Sequence, residues 1–130
     1  MNNGRFADAV ASIADARNYM CAMIDGLAKQ KRDSVVAGIS PAEMASWPIK
    51  RQEAEQFTGA DASAPLLSAE AQSRGIATAA MVQRVLANGA ALSALEAVIA
   101  GNSGRHRDAV NALTDYDAIA NYDYSAGWPV

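Results

Sequence analysis

Apolar residues recur at alternating steps of four and three in two long stretches of the chain. In one of them Met81, Val85, Leu92, Leu95 and Ile99 keep that spacing, with Asn88 in the missing place. The same spacing underlies coiled coils, and it puts the side chains on one stripe of a helix packed lengthwise against another helix. It predicts a long helix over 78–113 with Thr78 as its cap. Whether that helix runs through Gly101-Asn-Ser-Gly104 is left open, since glycines can break a helix as well as line a close approach. In the other stretch Phe6, Val10, Ile13, Met20, Ile24 and Leu27 take the same steps, with Arg17 in one place on the stripe. That pattern predicts a helix over 5–37, stopping near Gly38 and spanning roughly 45 Å. Two such stripes bury most simply against each other or against a second copy of the chain. At roughly 1.5 to 3 kcal/mol per buried large aliphatic side chain, they would dominate the favourable side of folding. Arg17 and Asn88 either fix register at a cost in stability or face water at the helix edge.

Shorter elements fill the space between. Ser40, Pro41 and Glu43 form a start signal, a serine cap with proline at the first helical position and glutamate three residues on. They predict a helix over 41–58, with Met44, Trp47, Ala54 and Phe57 on its apolar face and Lys50, Arg51, Glu53 and Glu55 largely on the other. Pro48 removes a backbone donor and should kink this helix or split it near Ser46. Residues 60–65 read as a loop of small residues, followed by a short helix over 66–73 that stops at Gly75. Leu66 and Leu67 are expected to plug the core there. Thr114 and Asp117 are spaced like another cap, before a last short helix over 115–121. The tail then carries Tyr122, Tyr124 and Trp128, and is expected to fold back onto the chain's own helices.

Composition sharpens this into a fold class. The chain has 130 residues, one domain's worth, and 51% of them are hydrophobic against 6% aromatic. An apolar share built on alanine favours helices that approach closely around a thin core. The expectation is an all-α single domain over 1–130, either an elongated helical bundle or an antiparallel helical hairpin with two long helices. Thin cores of this kind are often completed by association, so a homo-oligomer is expected.

Charge and motifs narrow the function by exclusion. A net charge of −3 and a pI near 5.0 argue against a nucleic-acid binder, which would show a basic face. The clusters Lys29, Lys31, Arg32 and Arg105, His106, Arg107 read as solvated helix ends, with His106 exposed. No stretch approaches the apolar length of about 20 residues needed to cross a bilayer, so no membrane is expected. Cys21 is the only cysteine and sits among Met20, Met23 and Ile24, as a small core residue would.

With one histidine, no multi-histidine metal site can form, and HExxH, CxxC, GxSxG and phosphate-cradling motifs are all missing. Glu53 and Glu55 point to different sides of a helix. Asp115, Asp117 and Asp123 lack the spacing of a calcium loop. The reading is therefore of a protein that is not an enzyme and needs no cofactor. Trp47, Phe57, Tyr122, Tyr124 and Trp128 are the candidate partner or oligomer contacts, since large aromatics anchor interfaces.

One further pattern runs through the middle of the chain: Trp47-x-x-Lys50-x-x-Glu53-Ala54, then Pro65-Leu66-Leu67, Glu70-Ala71, Arg74-Gly75-Ile76, Val85-Leu86 and a closing Trp128-Pro129. In its order and spacing, from about Ile24-Asp25 onward, the chain resembles a helical family encoded in the tail regions of double-stranded DNA phages and prophages, often beside tail-fibre genes. It departs in having Trp47 where tyrosine is commoner, and Gly101 to Gly104 where a more polar helix is usual. The resemblance implies a non-enzymatic helper of tail-fibre assembly, with a tail or tail-fibre protein as partner, working in the bacterial host cytoplasm. A minor structural component retained in the virion tail is the alternative, and a small prophage-borne enzyme or regulator a third. The family supplies no catalytic residues.

Overall fold

The computed structural model describes residues 12–129, over which the chain is all-α. The helices are α1 (Ile13–Val35), α2 (Pro41–Glu55), α3 (Pro65–Arg74), α4 (Thr78–Ala112) and α5 (Tyr116–Ala120), with one 3-10 turn at Asp61–Ser63. Phe6, Val10 and the predicted start of the first helix lie outside the described residues. The chain forms two compact units, one of them Val36–Ala94, the other built from α1, α4 from Leu95 onward, α5 and the tail.

In the unit holding α1, four pairings set its direction against α4. Arg17 donates to the Leu113 carbonyl at 2.7 Å, Cys21 lies 3.8 Å from Asn111, Arg107 pairs with Asp25 at 3.6 Å, and Arg32 with Glu96 at 2.7 Å. One residue number falls as the other rises, so the two helices run antiparallel. Ala16, Met20 and Ile24 of α1 form a core with Val110 and Ile119, and Cys21 packs half-buried against it. The first stripe is thus paired within the chain, against the C-terminal part of α4. Arg17 neither sets a buried register nor faces free water: its guanidinium satisfies a carbonyl left over just past the end of α4, as a cation near a helix C-terminus does.

The other unit packs Leu67 and Ala71 of α3 with Ala54, Ala64, Met81 and Val82, flanked by Phe57, Ile76, Val85 and Leu86. Only one of the two adjacent leucines is core. Leu67 is fully buried, whereas Leu66 points outward, because neighbours on a helix are about 100° apart. Asn88 is exposed, so it fixes no seam, and Leu92 is half-buried.

Local signals explain most boundaries. Ser40 accepts from the Glu43 N–H at 3.1 Å, the serine half of a capping box. α2 passes through Pro48 without the split near Ser46, because the lost donor costs one bond while flanking turns hold, but it stops at Glu55, short of Thr58 and Gly59. Gly75 closes α3 in the left-handed conformation at φ 72°, where a side chain would be strained. Thr78 is the first helical residue of α4 and does not cap it. α4 runs unbroken through Gly101 to Gly104. The cap of α5 is Asp115, whose carboxylate accepts from the Ala118 N–H at 3.0 Å, and not Thr114. A charged acceptor at a helix N-terminus is the stronger cap.

One expectation about α4 needs correction. Eighteen of its residues make a stretch apolar enough, by length and composition, to cross a membrane, and 11% of that stretch is buried. Its alanines are individually mild, so no run of large apolar residues marks it.

Candidate interaction sites

The first site is the hairpin of α2 and α3, where residues distant in sequence converge. Glu53 lies in the last turn of α2, and its carboxylate accepts from the N–H groups of Leu66 at 3.2 Å and Leu67 at 3.0 Å. α3 begins with Ala64 at its cap position and Pro65 next, so its own side chains offer no acceptor. Glu53 therefore supplies the missing cap from the neighbouring helix. Lys50, one turn earlier, pairs with Glu70 at 2.6 Å, with both side chains about four-fifths buried. Arg74 approaches the other oxygen of Glu70 at 3.3 Å. These contacts correct the expectation that Lys50 and Glu53 lie on the face away from the packed one. Arg51 and Glu55 do, pairing with each other at 2.9 Å. Trp47 and Phe57 are half-buried, Phe57 against the core of this unit, while Ile49 and Leu66 remain exposed at 54% and 38%.

The second site is the C-terminal strap. Tyr122, Tyr124 and Trp128 are half-buried against the core of the α1 unit, so the tail does fold back onto its own helices. Its anchor is polar. The Ala126 carbonyl meets Asn102 Nδ2 at 3.0 Å, Arg105 Nη2 at 3.3 Å and His106 Nε2 at 2.8 Å. His106 Nδ1 lies 2.7 Å from the Tyr122 hydroxyl, and its ring stacks on Trp128 at 5.9 Å between centroids. Trp128 donates its indole N–H to the Tyr124 carbonyl at 2.7 Å. Gly127 adopts φ 90°, and a Cβ there would lie on the Asn102 amide. His106 is 2% exposed, which overturns its reading as a solvated residue. Arg105 donates to Asn102 at 2.7 Å yet is exposed, so Arg105 and Arg107, the latter beside Asp25, face solvent and only His106 of the three is buried.

A signal for this anchor was present in the sequence. Carrying the alternating steps onward from Ile99 lands on Asn102 and His106, and a polar residue on a buried stripe must find partners. The charged groups nearby are ordinary by comparison. The Arg32 hydrogen bond holds the Glu96 carboxyl below its usual value, and the Ser125 hydrogen bonds do the same for Asp123. Among the described residues no three His, Cys, Asp or Glu side chains gather as a metal site. The five aromatic candidates divide between the two sites, Trp47 and Phe57 in one and the three tail aromatics in the other.

Comparisons with protein families, with curated proteins and with solved structures find no match.

Proposed function

We propose that this chain is a non-enzymatic helical protein associated with a phage or prophage tail, assisting tail-fibre assembly by helix-mediated contacts with a tail-fibre protein. One observation carries the reading. The residues on which the family resemblance rests are sequence-distant, yet Lys50, Glu53, Leu66, Leu67, Glu70 and Arg74 interlock in a single hairpin. Their spacing has a physical reason: it builds a rigid pair of helices. That pair offers Ile49 and Leu66 to solvent, and exposed aliphatic side chains on rigid helices suit helix-in-groove contacts. A helper of this kind acts in the host cytoplasm, shielding apolar surface of an unassembled fibre.

Mixing the chain with a tail-fibre protein and measuring mass by light scattering after size exclusion tests the reading. A joint complex that Ile49→Asp with Leu66→Asp abolishes, at unchanged melting temperature, supports it. No complex sinks it, and retention of the chain in finished particles favours a built-in tail component instead.

A further inference from the structure

The strap is gripped by more donors than its acceptor can use. Asn102 Nδ2, Arg105 Nη2 and His106 Nε2 converge on the Ala126 carbonyl oxygen at 3.0, 3.3 and 2.8 Å. A carbonyl oxygen offers two lone pairs, so a third nitrogen is in excess. Two of the three crowd each other, with Arg105 Nη2 lying 3.2 Å from His106 Nε2. Asn102 and His106 are each more than nine-tenths buried, and Arg105 donates to Asn102 Oδ1 at 2.7 Å, which turns the amide nitrogen toward the strap. Arg105 has no ion pair among the described residues, whereas Arg32, Arg51, Arg74 and Arg107 each have one. Asp123, the strap's own carboxylate, is exposed and accepts from the Ser125 N–H at 2.9 Å instead. A cation and two buried donors thus surround a neutral atom.

We propose that Asn102, Arg105 and His106 form a site for the C-terminal carboxylate of a second polypeptide, with the strap as a plug in its place. A carboxylate brings two oxygens and a full charge, and its hydrogen bonds with a guanidinium are roughly twice as strong as those between neutral groups. A chain ending at the place of Ala126 puts its second oxygen where the Gly127 nitrogen stands. Arg105 flanks that place, since a methyl group built on Gly127 lies 3.0 Å from its Nη2. The donors then divide between two oxygens. The strap also specifies what precedes the carboxylate. Four residues before the end comes a tyrosine, because Tyr122 sets its hydroxyl 2.7 Å from His106 Nδ1. Two residues before it comes a second aromatic, as Tyr124 packs half-buried against the core. An acidic side chain is the other source of a carboxylate, but the grip is on the main chain and the Ala126 side chain is exposed. Capture of a chain end by converging donors is a recurring mode of peptide recognition. The site is independent of the tail-fibre reading.

The probe is a hexapeptide matching residues 121–126, with a free C-terminus and a fluorophore on its N-terminus, titrated with the full chain and read by anisotropy. A tethered plug competes at an effective concentration in about the millimolar range, so the intact chain binds weakly. Gly127→Ala loosens the plug, as does Trp128→Ala, which removes the ring stacked on His106. With helicity unchanged by circular dichroism, either variant tightens binding on the order of tenfold. The amidated hexapeptide binds on the order of tenfold more weakly than the free acid, and Arg105→Gln removes that difference. An amidated hexapeptide with aspartate in its last place stays as weak as the plain amide. Equal affinity for acid and amide, a preference that survives Arg105→Gln, tight binding of the amidated aspartate peptide, or loosened straps with no gain in affinity would each overturn the proposal.

Discussion

His106 Nε2 lies 2.8 Å from the carbonyl oxygen of Ala126, twenty residues on. A carbonyl can only accept, so Nε2 carries the proton, and Nδ1 lies 2.7 Å from the Tyr122 hydroxyl. One buried imidazole thereby holds two points of the tail.

Replacing it exposes the cost of that arrangement. His106→Leu keeps the bulk but leaves the Tyr122 hydroxyl and part of the Ala126 acceptor capacity unmatched, and is expected to destabilise the α1 unit by about 1 to 3 kcal/mol. Chemical denaturation followed by circular dichroism measures it. Unchanged stability would show that the anchor is dispensable.

The glycines separate by environment. Gly127→Ala puts a methyl group on the Asn102 side chain at a positive φ and is expected to cost about 1 to 3 kcal/mol. Limited proteolysis should then cut the tail faster. Gly26→Ala, in the interior of α1 with no atom within 4 Å of the new Cβ, is expected to stabilise by roughly 0.5 to 1 kcal/mol. Equal effects at the two positions would contradict this account of the strap.

Glu53→Ala removes the cap that α2 lends to α3. Losing a cap costs about 0.5 to 2 kcal/mol, and Glu55→Ala, at the exposed Arg51 pair, should cost far less. Hydrogen exchange at the Leu66 and Leu67 amides locates the effect. Protection unchanged at those amides would refute the borrowed cap.

The Arg32–Glu96 pair predicts a titration. Its hydrogen bond lowers the Glu96 carboxyl from the usual 4.5, so the folded state holds fewer protons there than the unfolded state. Whatever stability the pair adds is present above the ordinary glutamate range and fades as pH falls through the lowered folded value. Carboxyl carbon NMR should place the Glu96 midpoint below 4.5, and Arg32→Met should return it upward. A midpoint indifferent to that substitution would show the pair to be absent in solution.

Periodicity made the helices legible, because burial repeats with the turn of the backbone. The stripe through Met20 and Ile24, the Ser40 cap and the stop at Gly75 all follow from single-residue chemistry. The split at Pro48 did not occur, because a helix held by tertiary contacts tolerates one lost bond. What stayed hidden depends on pairings between distant residues. Glu53 looks like one more surface carboxylate until Leu66 and Leu67 are brought to it. His106 looks solvated while it is weighed with Arg105 and Arg107 and not with Ile99 and Asn102 on the stripe. Nor could spacing alone show that α1 runs antiparallel to the later part of α4.

The strap is fastened to a main-chain atom. Every amino acid carries the carbonyl that Asn102, Arg105 and His106 grip at position 126, and the Ala126 side chain is exposed. Evolutionary drift at 126 would therefore leave the fastening intact, while the donors and Gly127 bear the constraint. In any set of homologues, position 126 should wander beside neighbours that stay fixed.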